Sequence, residues 1–351
     1  MKKILVIRYR FIGDTVLTVP FLRNLRKHYP DAQIDMLAGA VSSEVLGNCP
    51  YIDNLIVFDT THKHRYENTG SKKISFWSYV KLLRKNKYDK VYVLKRSFSS
   101  AFLAFIGGIK ERIGFDTEQR GFLLTKRVKY DKDKHEVDCF LDILKADNVQ
   151  INDDYLENWI DKVSEAKVDE ILRAQNSGND FKVLIHATSG NINKQWSLEY
   201  FAEVVEFLIN KKNARVFYTG TEEDFDTYID IEKHVKGKLK ANSVNLCGKM
   251  SIQDSTALIN KMNLVIGVDS GLLHVAASLN VPAIGIYGPM NPVKWQLRGN
   301  IHRALYLNLP CIPCRLRRTC KFDRICLKNI KPELIINAVE EMAKEKIISL
   351  A

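Results

Sequence analysis

The sequence predicts an α/β protein built from two doubly wound parallel sheets, and three observations carry that expectation. Short apolar runs alternate with amphipathic helical stretches along most of the chain. The residues best able to do chemistry fall just after those runs, where open α/β sheets place their ligands. Finally, 351 residues exceed one ordinary domain and suit two, each large enough to bury a core.

Taken in order, Lys-Ile-Leu-Val-Ile at 3–7 reads as a buried strand, 8–14 as the loop leaving its carboxyl end, and 15–29 as a helix entered through Asp14 and ended before Pro30. Strands at 33–38, 55–58, 90–94 and 112–115 then alternate with helices at 41–47, 76–86, 99–106 and 135–146. The polar, basic stretch 62–73 interrupts this pattern and reads as a loop, and the acidic stretch 152–157 begins the passage to a second domain. A helix at 162–175 ends in the turn residues Asn176-Ser-Gly-Asn-Asp180, the expected junction. Beyond it, strands at 182–186, 214–219, 264–268 and 283–286 alternate with helices at 198–210, up to about 235, and at 272–279. Most of these strands are continuously apolar rather than alternating, as expected where helices cover both faces of a parallel sheet. The economical reading is two nucleotide-fold domains facing each other across a cleft. The expected boundaries are 1–165, 180–332 and a terminal helix within 333–351.

Composition narrows the function. A hydrophobic share of 46% and a charged share of 27% are those of a soluble globular chain, and no apolar run approaches the roughly 20 residues of a membrane span. Met-Lys-Lys followed by four apolar residues is too short for a signal peptide, so the cytoplasm is the expected compartment. A formal charge of +12 calls for an acidic partner. The cations are scattered without aromatic interleaving or a nucleic-acid motif, so nucleic acid is not the expected one.

Within the first half, Asp14 follows the first strand, with Gly13 beside it to allow close approach of a ligand. A carboxylate there can take a proton from a substrate hydroxyl, although its position equally suits a helix cap. In the second half, Asp269-Ser270-Gly271 joins a buried strand to the helix that begins at Leu272. Free N–H groups and the positive end of the helix dipole make this turn an anion site, for which a phosphate is the natural occupant. Its aspartate reads as a cap. His274 lies one turn into that helix, as a phosphate donor or a satisfied core histidine. Thr188, Ser189 and Lys194 follow the strand at 182–186 and suit a second contact to the same anion, while a surface lysine is the plainer alternative for Lys194. Glu222, Glu223 and Asp224 follow the strand at 214–219, where one could hold a ribose hydroxyl pair or all could simply complement a helix dipole. Cys311, Cys314, Cys320 and Cys326 crowd one basic segment; the first pair has metal-ligand spacing and the remaining spacings do not form a standard zinc motif.

Four segments together resemble the ADP-heptose:lipopolysaccharide heptosyltransferases of glycosyltransferase family nine: the opening Lys3-Ile-Leu-Val-Ile-Arg-Tyr-Arg-Phe-Ile-Gly-Asp14, Arg112-Ile-Gly-Phe115, His186-Ala-Thr-Ser189 and Asp269-Ser-Gly-Leu-Leu-His274. The similarity runs in order over essentially the whole chain, and many members carry a comparable cysteine segment. The resemblance implies a GT-B fold, with the acceptor on the first Rossmann-like domain, the nucleotide sugar on the second, and the last helix packing back across the first. It implies inverting transfer of a heptose from ADP-heptose to the lipopolysaccharide inner core without a required cofactor, leaving structural zinc or iron at the cysteines open. Asp14 would be the general base. Lys194, Thr188, Ser189, Glu223, Asp224, Asp269, Ser270, Gly271, Leu272 and His274 would form the donor site, with Asp224 the best match to the family's ribose-contacting acid. Gly13, Lys63, Arg65, Lys72, Lys73, Arg96 and Arg120 would meet an acceptor, the lipid A–core oligosaccharide, rich in carboxylates and phosphates. The cytoplasmic face of the inner membrane would be the place of work. A GT-B sugar-nucleotide epimerase and a non-catalytic binder of anionic glycolipid are the rival readings.

Overall fold

The central strands form where apolar runs can be covered on both faces, and with shorter edge strands they assemble into two six-stranded parallel sheets. The computed structural model describes residues 1–59, 74–175, 180–235, 242–314 and 320–349. Contacts divide the chain into Met1–Trp159 and Ile160–Ala351, slightly earlier than the expected boundary at 165.

The first unit contains β1 (Lys3–Ile7), β2 (Gln33–Ala38), β3 (Asn54–Val57), β4 (Lys90–Val93), β5 (Glu111–Phe115) and β6 (Lys126–Val128) in the order β3-β2-β1-β4-β5-β6. Its helices are α1 (Ile12–Val16), α2 (Val19–His28), α3 (Ala40–Val45), α4 (Phe76–Asn86), α5 (Phe98–Ile106) and α6 (Glu136–Ala146). The helix expected at 15–29 is thus two helices. Pro20 lies in the first turn of α2, where its missing N–H would be unpaired in any case, so it starts a helix where the sequence reading ran one straight through.

The second unit contains α7 (Lys162–Ala174), β7 (Phe181–His186), α8 (Leu198–Lys212), β8 (Ala214–Tyr218), α9 (Phe225–His234), β9 (Ser243–Asn245), α10 (Ile252–Asn260), β10 (Leu264–Val268), α11 (Gly271–Ser278), β11 (Ala283–Ile286), α12 (Pro292–Trp295), β12 (Arg303–Leu305), α13 (Ile325–Lys328) and α14 (Pro332–Lys344). Its sheet runs β12-β11-β10-β7-β8-β9, which repeats the connectivity of the first. Gly267 of β10 is required by its neighbour, since a Cβ there would come within 2.7 Å of the His186 carbonyl oxygen on β7. Ile335, Ala338, Val339 and Met342 form one apolar stripe buried in the core of the second unit, where α14 packs on α8.

In the first unit, Arg23 on α2 ties down the acidic stretch that the sequence presented as irregular. Its buried guanidinium donates to Asp153 Oδ1 at 2.6 Å, Glu157 Oε1 at 2.5 Å and the Tyr155 carbonyl at 2.7 Å. Burial opposes the charge on Asp153, but hydrogen bonds from Arg23 and Lys27 outweigh it and hold the carboxyl below its ordinary value. A depressed folded-state pKa means stability that is present above the unfolded value near 3.9 and lost as pH falls through the folded one. Arg23→Met is expected to destabilise the protein by about 3 kcal/mol at neutral pH and to shrink the loss on acidification, as read by urea unfolding at pH 7 and pH 3.

Candidate active site

An open parallel sheet leaves a crevice where its strand order reverses, because the chain departs to opposite sides from two adjacent carboxyl ends. That point lies between β1 and β4 in the first sheet and between β7 and β10 in the second. The main chemical candidates stand there.

In the first unit, Asp14 is the third residue of α1, while Phe11 occupies the N-cap without a side-chain bond. Asp14 is therefore not the cap. It is nearly buried and ion-paired with the guanidinium of Arg8, itself 3% exposed, which leaves β1 one residue earlier than the turn. Arg10 turns the intervening chain at a φ of 87°, and buried Gly13 precedes the carboxylate. Sequence reasoning passed over Arg8 because nothing in its spacing distinguishes it from the chain's other cations.

Lys95, at the end of the adjacent β4, was also passed over. Its ammonium lies 5.8 Å from the Tyr9 ring centroid and 5.9 Å from that of Phe11. Burial first, then the charges of Arg8, Arg10 and Arg96, push its pKa down to about 8 against the pull of Asp14. Arg96 stacks its guanidinium 4.2 Å from the Tyr130 ring centroid, half-buried at the same sheet edge. Arg120 departs from expectation. It has no exposed surface and donates to the carbonyls of Phe115 at 2.9 Å and Ser97 at 2.8 Å, and to that of Lys95. A side chain so enclosed shapes the β4–α5 loop and offers no face to an acceptor. Lys63, Arg65, Lys72 and Lys73 lie outside the described residues.

In the second unit, the loop after β7 brings Lys194 to the turn after β10: its Nζ is 2.8 Å from Asp269 Oδ2. Asp269 is buried and orients this lysine, so it is not the cap; Ser270 takes that position at α11, without a side-chain cap bond. The first N–H groups of α11, from Gly271 and Leu272 onward, have no intrahelical acceptor. Thr188 and Ser189 are buried on the β7 side of the same crevice. Trp196 anchors the loop through Nε1 to the Ile330 carbonyl at 2.8 Å. His274 is buried in α11, near His302, whose pKa is pushed down to about 4 by burial first and then by the charges of His274 and Arg303. His302 is thus neutral at physiological pH.

Asp224 is corrected too. It is 1% exposed, and its Oδ2 accepts from the Thr221 amide and hydroxyl, both at 2.9 Å, in a capping box. Glu222 and Glu223 stand exposed at the same turn and are better placed to meet a ligand.

The four clustered cysteines border one cavity of about 300 Å³ in the second unit, beside Asn193 and Arg324. Among the described residues no three His, Cys, Asp or Glu side chains converge so as to hold an ion. Burial first, and then the neighbouring thiols, push the Cys326 thiol up, which keeps it protonated.

The family model for glycosyltransferase family 9 (heptosyltransferase) matches residues 76–325. Lipopolysaccharide heptosyltransferase 2 of Escherichia coli K12 is 27% identical over 298 residues, covering 83% of this chain and 84% of the relative. Lipooligosaccharide heptosyltransferase 2 of Campylobacter jejuni serotype O:2 is 26% identical, covering 95% and 96%. Among solved structures, a family 9 glycosyl transferase from Veillonella parvula superposes with a TM-score of 0.83 at 23% identity, covering 98% of each chain.

Proposed function

The chain belongs to glycosyltransferase family 9, the heptosyltransferases, and on that premise we propose that it moves a heptose from ADP-heptose to a hydroxyl of the lipopolysaccharide inner core, with inversion and without a catalytic metal. The observation that carries this reading is the Lys194–Asp269 pair at the amino end of α11, where a lysine and helix N–H groups without an intrahelical acceptor meet at a switch point. As the sugar–diphosphate bond breaks, the sugar gains oxocarbenium character and negative charge grows on the departing ADP. Lys194 and the N–H groups of α11 supply fixed positive charge for that developing anion, the task a divalent cation performs elsewhere. Thr188, Ser189 and Ser270 hold the diphosphate, and Glu223 or Glu222 the ribose. His274 donates from within the helix.

The first unit supplies the other half of the chemistry. Asp14, oriented by Arg8, takes the proton of the acceptor hydroxyl as the new bond forms. Lys95 and Arg96, with the basic residues at 63–73, meet the acceptor's phosphates and carboxylates. The acceptor is anchored in a membrane, so the protein works at the cytoplasmic surface of the inner membrane as a peripheral enzyme; among the described residues no helix is long and apolar enough to cross it.

A donor panel tests the reading: release of ADP from ADP-heptose, dependent on a deacylated lipid A–core acceptor and unchanged by EDTA, is expected. Release of UDP from UDP-sugars instead, or conversion of the donor without acceptor, would replace it. Lys95 adds a pH signature. Being cationic below about pH 8 and neutral above, it should let the acceptor KM rise several-fold between pH 7 and pH 9. Lys95→Arg should flatten that rise.

A further inference from the structure

Three phenylalanines on α5, Phe98, Phe102 and Phe105, recur at i, i+4 and i+7, one outward face of a helix whose opposite side buries Ser100, Ala101, Leu103 and Ala104. Phe98 and Phe105 are exposed, and the stripe is continued sideways rather than covered. Phe102 lies 6.4 Å from Phe76 on the neighbouring α4, whose Trp77 is 63% exposed. Phe98 lies 6.3 Å from Phe122, which is 66% exposed. Isolated surface aromatics need no explanation, but a contiguous group of them on adjacent helices marks a surface that meets something apolar.

Charge identifies what that is. Between residues 74 and 112 the sequence carries nine lysines and arginines against two acids, more than half of the chain's formal excess of +12. Lys81, Arg84 and Lys85 are exposed on α4 beside the aromatic stripe, and the Arg112 guanidinium sits 5.3 Å from the Phe105 ring centroid. One acid on the same rim, Glu118, accepts from the Phe98 amide at 2.7 Å. Aromatic rings that seat among headgroups, fringed by cations, are the chemistry that recognises an anionic bilayer surface. The patch also begins at the chemistry: Phe98 opens α5 three residues after Lys95, whose ammonium reaches Phe11 at the entrance to α1 and Asp14.

We propose that the outward faces of α4 and α5 form a docking surface for an anionic phospholipid bilayer, holding the acceptor-side unit against the membrane that carries its glycolipid. The proposal rests on the acceptor reading given above and assigns its membrane contact to named residues.

The test is sedimentation of the full-length protein with vesicles of phosphatidylethanolamine and phosphatidylglycerol, compared with phosphatidylcholine alone, in the absence of donor. Binding to the anionic vesicles is expected, weakened on the order of tenfold or more by Trp77→Ser with Phe105→Ser and Phe122→Ser. Lys81→Glu with Lys85→Glu, a pair on the exposed face of α4, should produce a loss of similar size without touching the aromatic stripe. Transfer to a deacylated, water-soluble acceptor should be unchanged in both variants. Full vesicle binding by both variants, or none by the parent, would overturn the proposal, as would a parent dimer that the serine variant dissolves, because the face would then be an interface between copies. A parent that binds vesicles yet transfers nothing to the soluble acceptor would sink the heptosyltransferase reading and leave the docking surface standing.

Discussion

Asp14→Asn is expected to lower kcat for heptosyl transfer by a factor on the order of 100 to 10⁴, with the KM for ADP-heptose nearly unchanged. Asparagine keeps the shape of the side chain and can still accept from Arg8 through its amide oxygen, so the packing survives while the negative charge is lost and the buried Arg8 cation is left uncompensated. It cannot accept a proton at neutral pH, and the acceptor hydroxyl must then attack while still protonated. On the proposed reading the donor is held by residues of the second unit, so the lesion should fall on the chemical step and on acceptor-dependent turnover. Steady-state kinetics with each substrate varied in turn checks this. Turnover within a few-fold of the parent would remove Asp14 from the role of base.

The second large effect is expected at Lys194. Lys194→Ala should reduce kcat/KM for ADP-heptose by about 10²–10³, in the range seen when a preorganised stabiliser of transition-state charge is lost. Two terms act together. The leaving diphosphate loses a cation, and Asp269, buried and 2.8 Å from the lysine in the parent, becomes an unpaired negative group beside an incoming anion. The second term can be removed separately. Asp269→Asn in the Lys194→Ala background should recover part of the donor affinity, while Asp269→Asn alone should leave Lys194 without its guide and weaken catalysis modestly. Purely additive losses across this double-mutant cycle would mean that the pair is not coupled.

Much of the candidate site's placement was legible in the sequence because its parts obey a local rule: a buried strand, a turn with small or polar residues, then a helix. Asp14, Lys194 and Asp269-Ser270-Gly271 each stand just after an apolar run, and the structure sets the last two elements side by side. What stayed hidden depends on side-chain partners far along the chain. Asp224 looks like its neighbours Glu222 and Glu223 until Thr221 is seen to donate twice to its Oδ2. Arg120 looks like any loop cation until the β4–α5 loop closes around it. Lys95 acquires its character from burial first and then from Arg8 and Arg10, which the sequence places some 85 residues away. The short edge strands β6, β9 and β12 went unseen because Lys-Arg-Val, Ser-Val-Asn and Arg-Ala-Leu carry no apolar run of their own; pairing with a central neighbour makes them strands. α10 does carry a local signal, the capping box of Ser251 and Asp254 with its recognisable spacing.

The place of α14 has a consequence for how the polypeptide matures on the ribosome. All strands of the first unit have been synthesised by residue 128, and its Arg23 clasp is complete by Glu157, so this half can acquire its fold while the remainder is still being translated. The second half has no such head start. Its core includes Val339 and Met342, so it stays open until α14 has been made, and a stop codon placed before Pro332 would leave a folded amino-terminal half joined to a carboxyl-terminal half vulnerable to proteases.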